Sequence, residues 1–196
     1  MSYQTLFSAT DYKNPYMQVI KDQVKLPNGH IKSFYVLDRY SPFSIIIPLI
    51  DHHATILVGQ YRYPAKYYSW EFPMGQVKGK SPLQMAKIEL KQEIGATAKA
   101  WCQIGHFFIA NGHCSQDAFV FTAENLTLGK PQPEPDEFLE IRQVKLNQVS
   151  RMIKSGQILD GPTITAYYFF TQSSSYFSSS TPQSHPQISS HSPLLP

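Results

Sequence analysis

Between Glu71 and Ala96 the chain reads Glu-Phe-Pro-Met-Gly-Gln-Val-Lys-Gly-Lys-Ser-Pro-Leu-Gln-Met-Ala-Lys-Ile-Glu-Leu-Lys-Gln-Glu-Ile-Gly-Ala. That is a strand end, a glycine-rich loop and a helix with its start and stop written in. Ser81 can cap the helix, Pro82 suits its first turn, and Gln84 can complete a Ser-x-x-Gln capping box. Gly95 stops it. Leu83, Ala86, Leu90 and Ile94 recur at helical spacing and form one apolar stripe. Glu89, Gln92 and Glu93 fall on a different face, so these carboxylates are expected to look out of the core. Glu89 and Glu93 lie one turn apart and project in nearly the same direction.

The segments around this unit read mostly as strand. Val19 to Lys25 and His30 to Leu37 alternate in polarity about Pro27-Asn28-Gly29, a turn that favours positive φ, so a β-hairpin is expected at about 18–38. Ser44 to Ile50 and Ala54 to Tyr61 form a second, β-branched pair around Asp51-His52-His53. Trp101 to Ile109 and Ala118 to Ala123 are strand-like and flank a polar loop, Ala110 to Asp117. A proline-stiffened acidic loop, Pro131 to Glu137, precedes strand-like Phe138 to Leu146 and a short helix over Asn147 to Lys154. Pro162 to Phe170 fits either a final helix or an apolar strand. From Thr171 the composition changes: residues 171–196 hold ten serines and four prolines, too little apolar material to fold, so a disordered tail is expected.

Composition narrows the ligand class. With 196 residues and 42% hydrophobic content, one domain with one core is expected, over residues 1–170. The net charge of +3, from 17 basic and 14 acidic residues, contains no long basic run, which argues against nucleic acid and for a small anionic ligand. Cys102 and Cys114 give no disulfide framework and no metal-ligand spacing, so a reduced, cytoplasmic protein is expected. Phe43 to Ile50 is too short to span a bilayer, so no membrane association is expected.

Cleaving a diphosphate means adding water to phosphorus ringed by negative oxygens, a task for divalent cations that neutralise charge and acidify the water. Hard cations take oxygen ligands, and Glu89 and Glu93 supply two, while Gly75 and Gly79 would let backbone carbonyls such as that of Met74 approach. A glutamate pair on an exposed helix face is by itself usually only solvated. The ordered combination of strand, Pro-x-Gly loop, capped helix and Glu-Leu-x-x-Glu-x-Gly is far more specific.

This combination resembles the Nudix hydrolase family, and its surroundings resemble the ADP-ribose pyrophosphatase branch. The resemblance covers roughly residues 18–170 and includes Gln60-Tyr61-Arg62-Tyr63, Trp70 to Gly75, Asn111-Gly112, Glu137 to Glu140 and Asp160-Gly161-Pro162-Thr163. Within the box, at 75–96, Gly75, Glu89, Leu90, Glu93, Gly95 and Ala96 match the family pattern. The loop after Gly75 is one residue short, and Lys80, Ile88 and Gln92 replace a glutamate, an arginine and one of the helix carboxylates.

The resemblance implies an α/β fold: an α/β/α sandwich with a mixed, curved sheet and an N-terminal β-hairpin that could support a homodimer. It implies Mg2+ (or Mn2+) held by Glu89, Glu93 and the Met74 carbonyl, with Glu93 and Glu89 as catalytic residues. Glu137 is the expected base, with Asp136 and Glu140 as neighbouring alternatives. Arg62, Trp70, Glu71 and Gly75 are the expected substrate-side residues, Arg62 through its phosphate-matching fork. The expected activity is hydrolysis of a nucleoside diphosphate linked to a sugar. The alternative is an inactive nucleotide-binding or regulatory module, favoured by Lys80, Ile88 and Gln92.

Overall fold

The computed structural model describes residues 2–39, 41–77 and 79–173, so from residue 174 on the expected tail lies outside the described residues. Strands β1 (Gln4–Lys13), β2 (Gln18–Lys25) and β3 (Ile31–Asp38) form a separate antiparallel sheet. The hairpin read from the sequence is β2–β3, with Gly29 at φ 86° and Asn28 Oδ1 accepting from the His30 amide at 3.1 Å. Strand β1 lies outside the hairpin that the sequence predicts. Its positions are almost all exposed, so no buried face imposes an apolar alternation on its sequence.

The main sheet has seven strands: β4 (Phe43–Ile50), β5 (Ala54–Arg62), β6 (Tyr67–Glu71), β7 (Met74–Gln76), β8 (Ala96–Phe108), β9 (Asp117–Leu128) and β10 (Glu140–Lys145). Its central order is β10-β5-β4-β9-β8, with β6 paired to β5 and β7 to β4. β4 and β9 run parallel and the other pairs antiparallel, giving a mixed sheet. β4 is buried on both faces, which is why Ile45-Ile46-Ile47 shows no alternation. The β4–β5 turn uses positive φ at Asp51 and His52.

Helix α1 (Pro82–Ile94) covers one face, packing Ala86, Leu90 and Ile94 on Ile46, Ile56, Val58 and Phe121. Helices α2 (Leu146–Lys154) and α3 (Gly161–Gln172) cover the other, packing Val149, Met152, Ala166 and Phe170 on Ile45, Ile47, Leu57 and Val120. The architecture is the α/β/α sandwich with the N-terminal sheet outside it. The Pro162–Phe170 segment is helical: Asp160 caps it by accepting from the Thr163 amide at 2.8 Å. Leu90 is fully buried, and truncation to alanine should cost about 2–5 kcal/mol.

The two sheets meet at Leu37, whose amide donates to the His113 carbonyl at 2.8 Å and whose carbonyl accepts from Ser115 at 3.2 Å. The polar loop read between β8 and β9 therefore serves as the anchor of the N-terminal sheet. Among the described residues no helix is long and apolar enough to cross a membrane.

Candidate active site

The site is built on the six residues from Glu71 to Gln76, where β6 passes into β7 under α1. Each backbone unit there is fixed by a different element. The Phe72 amide donates to Thr163 Oγ1 at 3.1 Å, the Pro73 carbonyl accepts from Ile46 at 2.9 Å, and the Met74 amide donates to Glu93 Oε2 at 3.2 Å. Phe72 fills the core beneath, fully buried. The segment therefore has little freedom, and side chains that depend on it are held in place.

Helix α1 brings the glutamates to this backbone. The capping box read from the sequence is complete: Ser81 Oγ accepts from Gln84 N at 3.2 Å and Gln84 Oε1 from Ser81 N at 3.0 Å. At the other end Gly95 adopts φ 69°. Glu89 packs so closely on Gly75 that a Cβ there would lie 2.0 Å from the Glu89 carboxyl carbon. The family-patterned glycine thus makes room for the first carboxylate.

Glu93 departs from the expected orientation. It is 4% exposed, on the flank of the buried stripe, and points back to Met74 instead of out to solvent. The apolar periodicity alone places it wrongly because a single buried hydrogen-bond partner outweighs the helical wheel. Burial, then the charges of Glu89 and Glu137, hold the Glu93 carboxyl well above the usual range, against the Met74 hydrogen bond and Arg62. Glu89, Glu93 and Glu137 therefore share one negative field.

Arg62 and Glu71 find each other. Arg62 Nε donates to Glu71 Oε1 at 2.9 Å and its Nη2 to Oε2, a forked pair around a carboxylate that is 1% exposed. A charge so deeply buried must be paired, and Arg62, 40% exposed at its side chain, supplies the pairing while keeping one edge toward solvent. The hydrogen bond to Glu71 raises the Arg62 pKa above its ordinary value. Asp160 completes the group. Burial, then the Glu71 charge, lift its pKa above the usual aspartate value. Asp160 and Thr163 lie in the sequence pattern, and the structure adds their capping contact at the start of α3. The Asp-x-Pro-Thr capping signal was the available clue.

The remaining expected residues divide. Glu137 is half-buried in the proline-stiffened loop, where its carboxylate accepts from Glu134 N at 2.9 Å. That loop is tied to the end of α1: Gln132 N donates to the Gln92 carbonyl and Gly129 N to the Gly95 carbonyl, both at 2.8 Å. Glu140 is not in the loop. It lies in β10 and accepts from the Tyr68 hydroxyl at 2.8 Å, a contact that, after burial, helps push Tyr68 up to about 12. Asp136 is exposed. Trp70 neighbours Glu71 in β6 and so faces the opposite side, packed edge-on to Tyr68 with the Arg142 guanidinium 5.5 Å from its ring centre. Trp70 is thus not brought together with the carboxylates.

Among the described residues no group of three His, Cys, Asp or Glu side chains is arranged to enclose an ion. Two carboxylates and a backbone carbonyl do suit a hard cation that completes its shell with water and substrate oxygens. The negative charge of Glu89 and Glu137 around Glu93 favours a cation there as well.

Comparisons with known proteins agree with this architecture. The model of the nucleoside diphosphate sugar hydrolase N-terminal domain matches residues 4–37, the outer sheet, and that of the NUDIX domain matches residues 41–167. The chain belongs to the Nudix family, and it is a Nudix-type pyrophosphohydrolase. An ADP-ribose pyrophosphatase of Bacillus subtilis is 29% identical over 151 residues, 76% of this chain and 81% of that protein. One of Mycobacterium tuberculosis is 26% identical over 167 residues, 83% and 80% of the two chains. A methanol dehydrogenase activator of Bacillus methanolicus is 25% identical over 151 residues, 76% and 81%. A solved structure described as an ADP compounds hydrolase has the same fold, with a TM-score of 0.79 at 18% identity, over 87% of this chain and 93% of that one.

Proposed function

We propose that the chain hydrolyses the diphosphate bond of a nucleoside diphosphate linked to a sugar, with ADP-ribose as the first candidate. The observation that carries this reading is the convergence of Glu89 and Glu93 on the Met74–Gly75 backbone. The names of the two pyrophosphatase relatives support the substrate class.

Glu89, Glu93 and the Met74 carbonyl would hold Mg2+ or Mn2+, which when bound neutralises phosphate charge and acidifies water. Water adds to one phosphorus, the bridging P–O bond breaks, and the products are a nucleoside monophosphate and a sugar phosphate. Glu137, within the field of Glu93 and on a loop tied to α1, accepts the proton of that water. Arg62, anchored by Glu71, turns its solvent edge to a phosphate or ribose. Gly75, lacking a side chain, leaves the room that the Glu89 carboxylate takes beside the substrate.

The outer sheet supports a second copy as partner, since Leu6, Phe7, Tyr12, Ile31 and Tyr35 are all more than 40% exposed on it. Sedimentation of the full chain would give a dimer mass, and a monomer at all concentrations would reject this part.

Incubation with a divalent cation and a panel of ADP-ribose, nucleotide sugars, dinucleoside polyphosphates and nucleoside triphosphates tests the reading. Monophosphate release from a diphosphate-linked sugar is expected. The replacements Ile88 and Gln92 on α1 favour the second reading, a nucleotide-binding module without turnover. Retained binding with no product from any member of the panel would establish it.

A further inference from the structure

We propose that Arg142 and Arg151 form a binding site for a phosphomonoester, separate from the carboxylate site. β10 and α2 enclose a cavity of about 230 Å3, lined by Arg142, Val144, Gln148, Arg151, Met152, Ser155 and Gln157. Val144 and Met152 form a buried apolar floor, and the remaining groups make a polar rim. The cavity exists because α2 ends sharply. Gly156 takes φ 75°, and the Gln157 amide returns to the Met152 carbonyl at 2.9 Å, folding Gln157 back beside the last turn.

The rim is biased toward donors. Neither Arg142 nor Arg151 has a carboxylate within ion-pair distance among the described residues. The Gln148 carbonyl oxygen is spent on the Lys145 amide at 2.8 Å, which leaves its amide NH2 for a ligand. Glu140, two residues from Arg142, is engaged by Tyr68. Arg151 in the last turn of α2 is favoured there by the helix dipole, but that effect accounts for nothing at Arg142, which lies on a different element. Two arginines lining one cavity beside a spare Gln148 amide match a phosphate dianion, since arginine forks pair two N–H groups with two oxygens. The volume exceeds that of a bare phosphate and leaves room for a small polyol attached to it.

Arg142 also links the cavity to its surroundings through its position over the Trp70 ring. Occupancy should therefore register in Trp70 fluorescence. The inference stands whether or not the chain turns over a nucleotide sugar, because it concerns binding without divalent cations.

The test is titration of the full chain, without divalent cations, with inorganic phosphate, ribose 5-phosphate and sulfate. Heat and the fluorescence of a Trp101→Phe variant, which isolates Trp70, are the readouts. Saturable binding of ribose 5-phosphate is expected, weaker for inorganic phosphate, and weakened at least tenfold by Arg151→Gln or Arg142→Gln. Arg151→Lys should retain part of it, and Glu93→Gln should bind as the parent does. Circular dichroism confirms that each variant is folded. Equal binding of sulfate and phosphate would reduce the site to general anion attraction and overturn the assignment. Loss with Arg62→Lys but with neither the Arg142 nor the Arg151 variants would move the ligand to the carboxylate site. No saturation in the parent would leave Arg151 as a helix-terminal charge only.

Discussion

The Phe72 backbone amide donates to Thr163 Oγ1 at 3.1 Å, joining residues 91 positions apart, and both are fully buried. Through it the N-terminus of α3 holds the segment on which Met74, Gly75 and Glu71 stand. Thr163→Val keeps the shape and removes the acceptor, leaving a buried N–H unsatisfied at a cost of about 1–3 kcal/mol. Urea denaturation should show that loss, and Thr163→Ser should recover most of it. Equal stability of the valine and parent proteins would remove this contact from the support of the site.

Arg62→Ala should be more damaging than an ordinary surface substitution. It strands Glu71, 1% exposed, without its forked partner. Removing one member of a buried pair costs roughly 3–5 kcal/mol, and the partial exposure of Arg62 puts the expectation at the low end. Adding Glu71→Gln to Arg62→Ala should restore part of the stability. A double-mutant cycle in urea with no coupling would contradict the pairing.

Asp160 gives a pH signature with a definite sign. Its folded pKa is raised, by burial first and Glu71 second, so the stability linked to it is full below the unfolded aspartate value of about 3.9 and is lost as pH rises through the folded value. Asp160→Asn retains a capping acceptor for Thr163 without the charge. The variant should therefore gain on the parent between acid and neutral pH, measured as the difference in urea unfolding free energy. A gap independent of pH would show that Asp160 ionisation is not coupled to folding.

Two glycines should fail in different ways. An alanine Cβ at Gly75 meets the end of a flexible side chain, 2.0 Å from the Glu89 carboxyl carbon, so the fold survives while the carboxylate shifts. Divalent-cation binding by calorimetry should weaken with little change in melting temperature. At Gly95 the Cβ meets the Gly129 carbonyl at 2.5 Å, and φ is 69°, so Gly95→Ala should cost at least about 1–2 kcal/mol. A Gly75→Ala protein with undiminished cation affinity would dissociate Glu89 from the ion.

Much of this molecule was legible in the chain because local signals agreed with tertiary demands. Ser81, Pro82, Gln84 and Gly95 bound α1 as their chemistry dictates, and the Asn28-Gly29 turn closes the β2–β3 hairpin. What was hidden depended on partners distant in sequence. Glu93 turns inward because Met74 offers a donor, and Arg62 is engaged by a glutamate on the next strand. Trp70 and Glu71 read as one motif, yet the pleat separates them. β1 left no pattern because its residues have no core face.

Glu89 and Glu93 are proposed to hold the cation for diphosphate cleavage, with Gln92 standing where a further ligand would be. The direct measurement is the initial rate of AMP release from ADP-ribose in Mg2+ for the parent, Glu93→Gln and Gln92→Glu. The parent should turn over, Glu93→Gln should lose at least about a hundredfold, as loss of a group essential to the transition state does, and Gln92→Glu should exceed the parent. Equal rates in all three proteins would contradict the metal assignment.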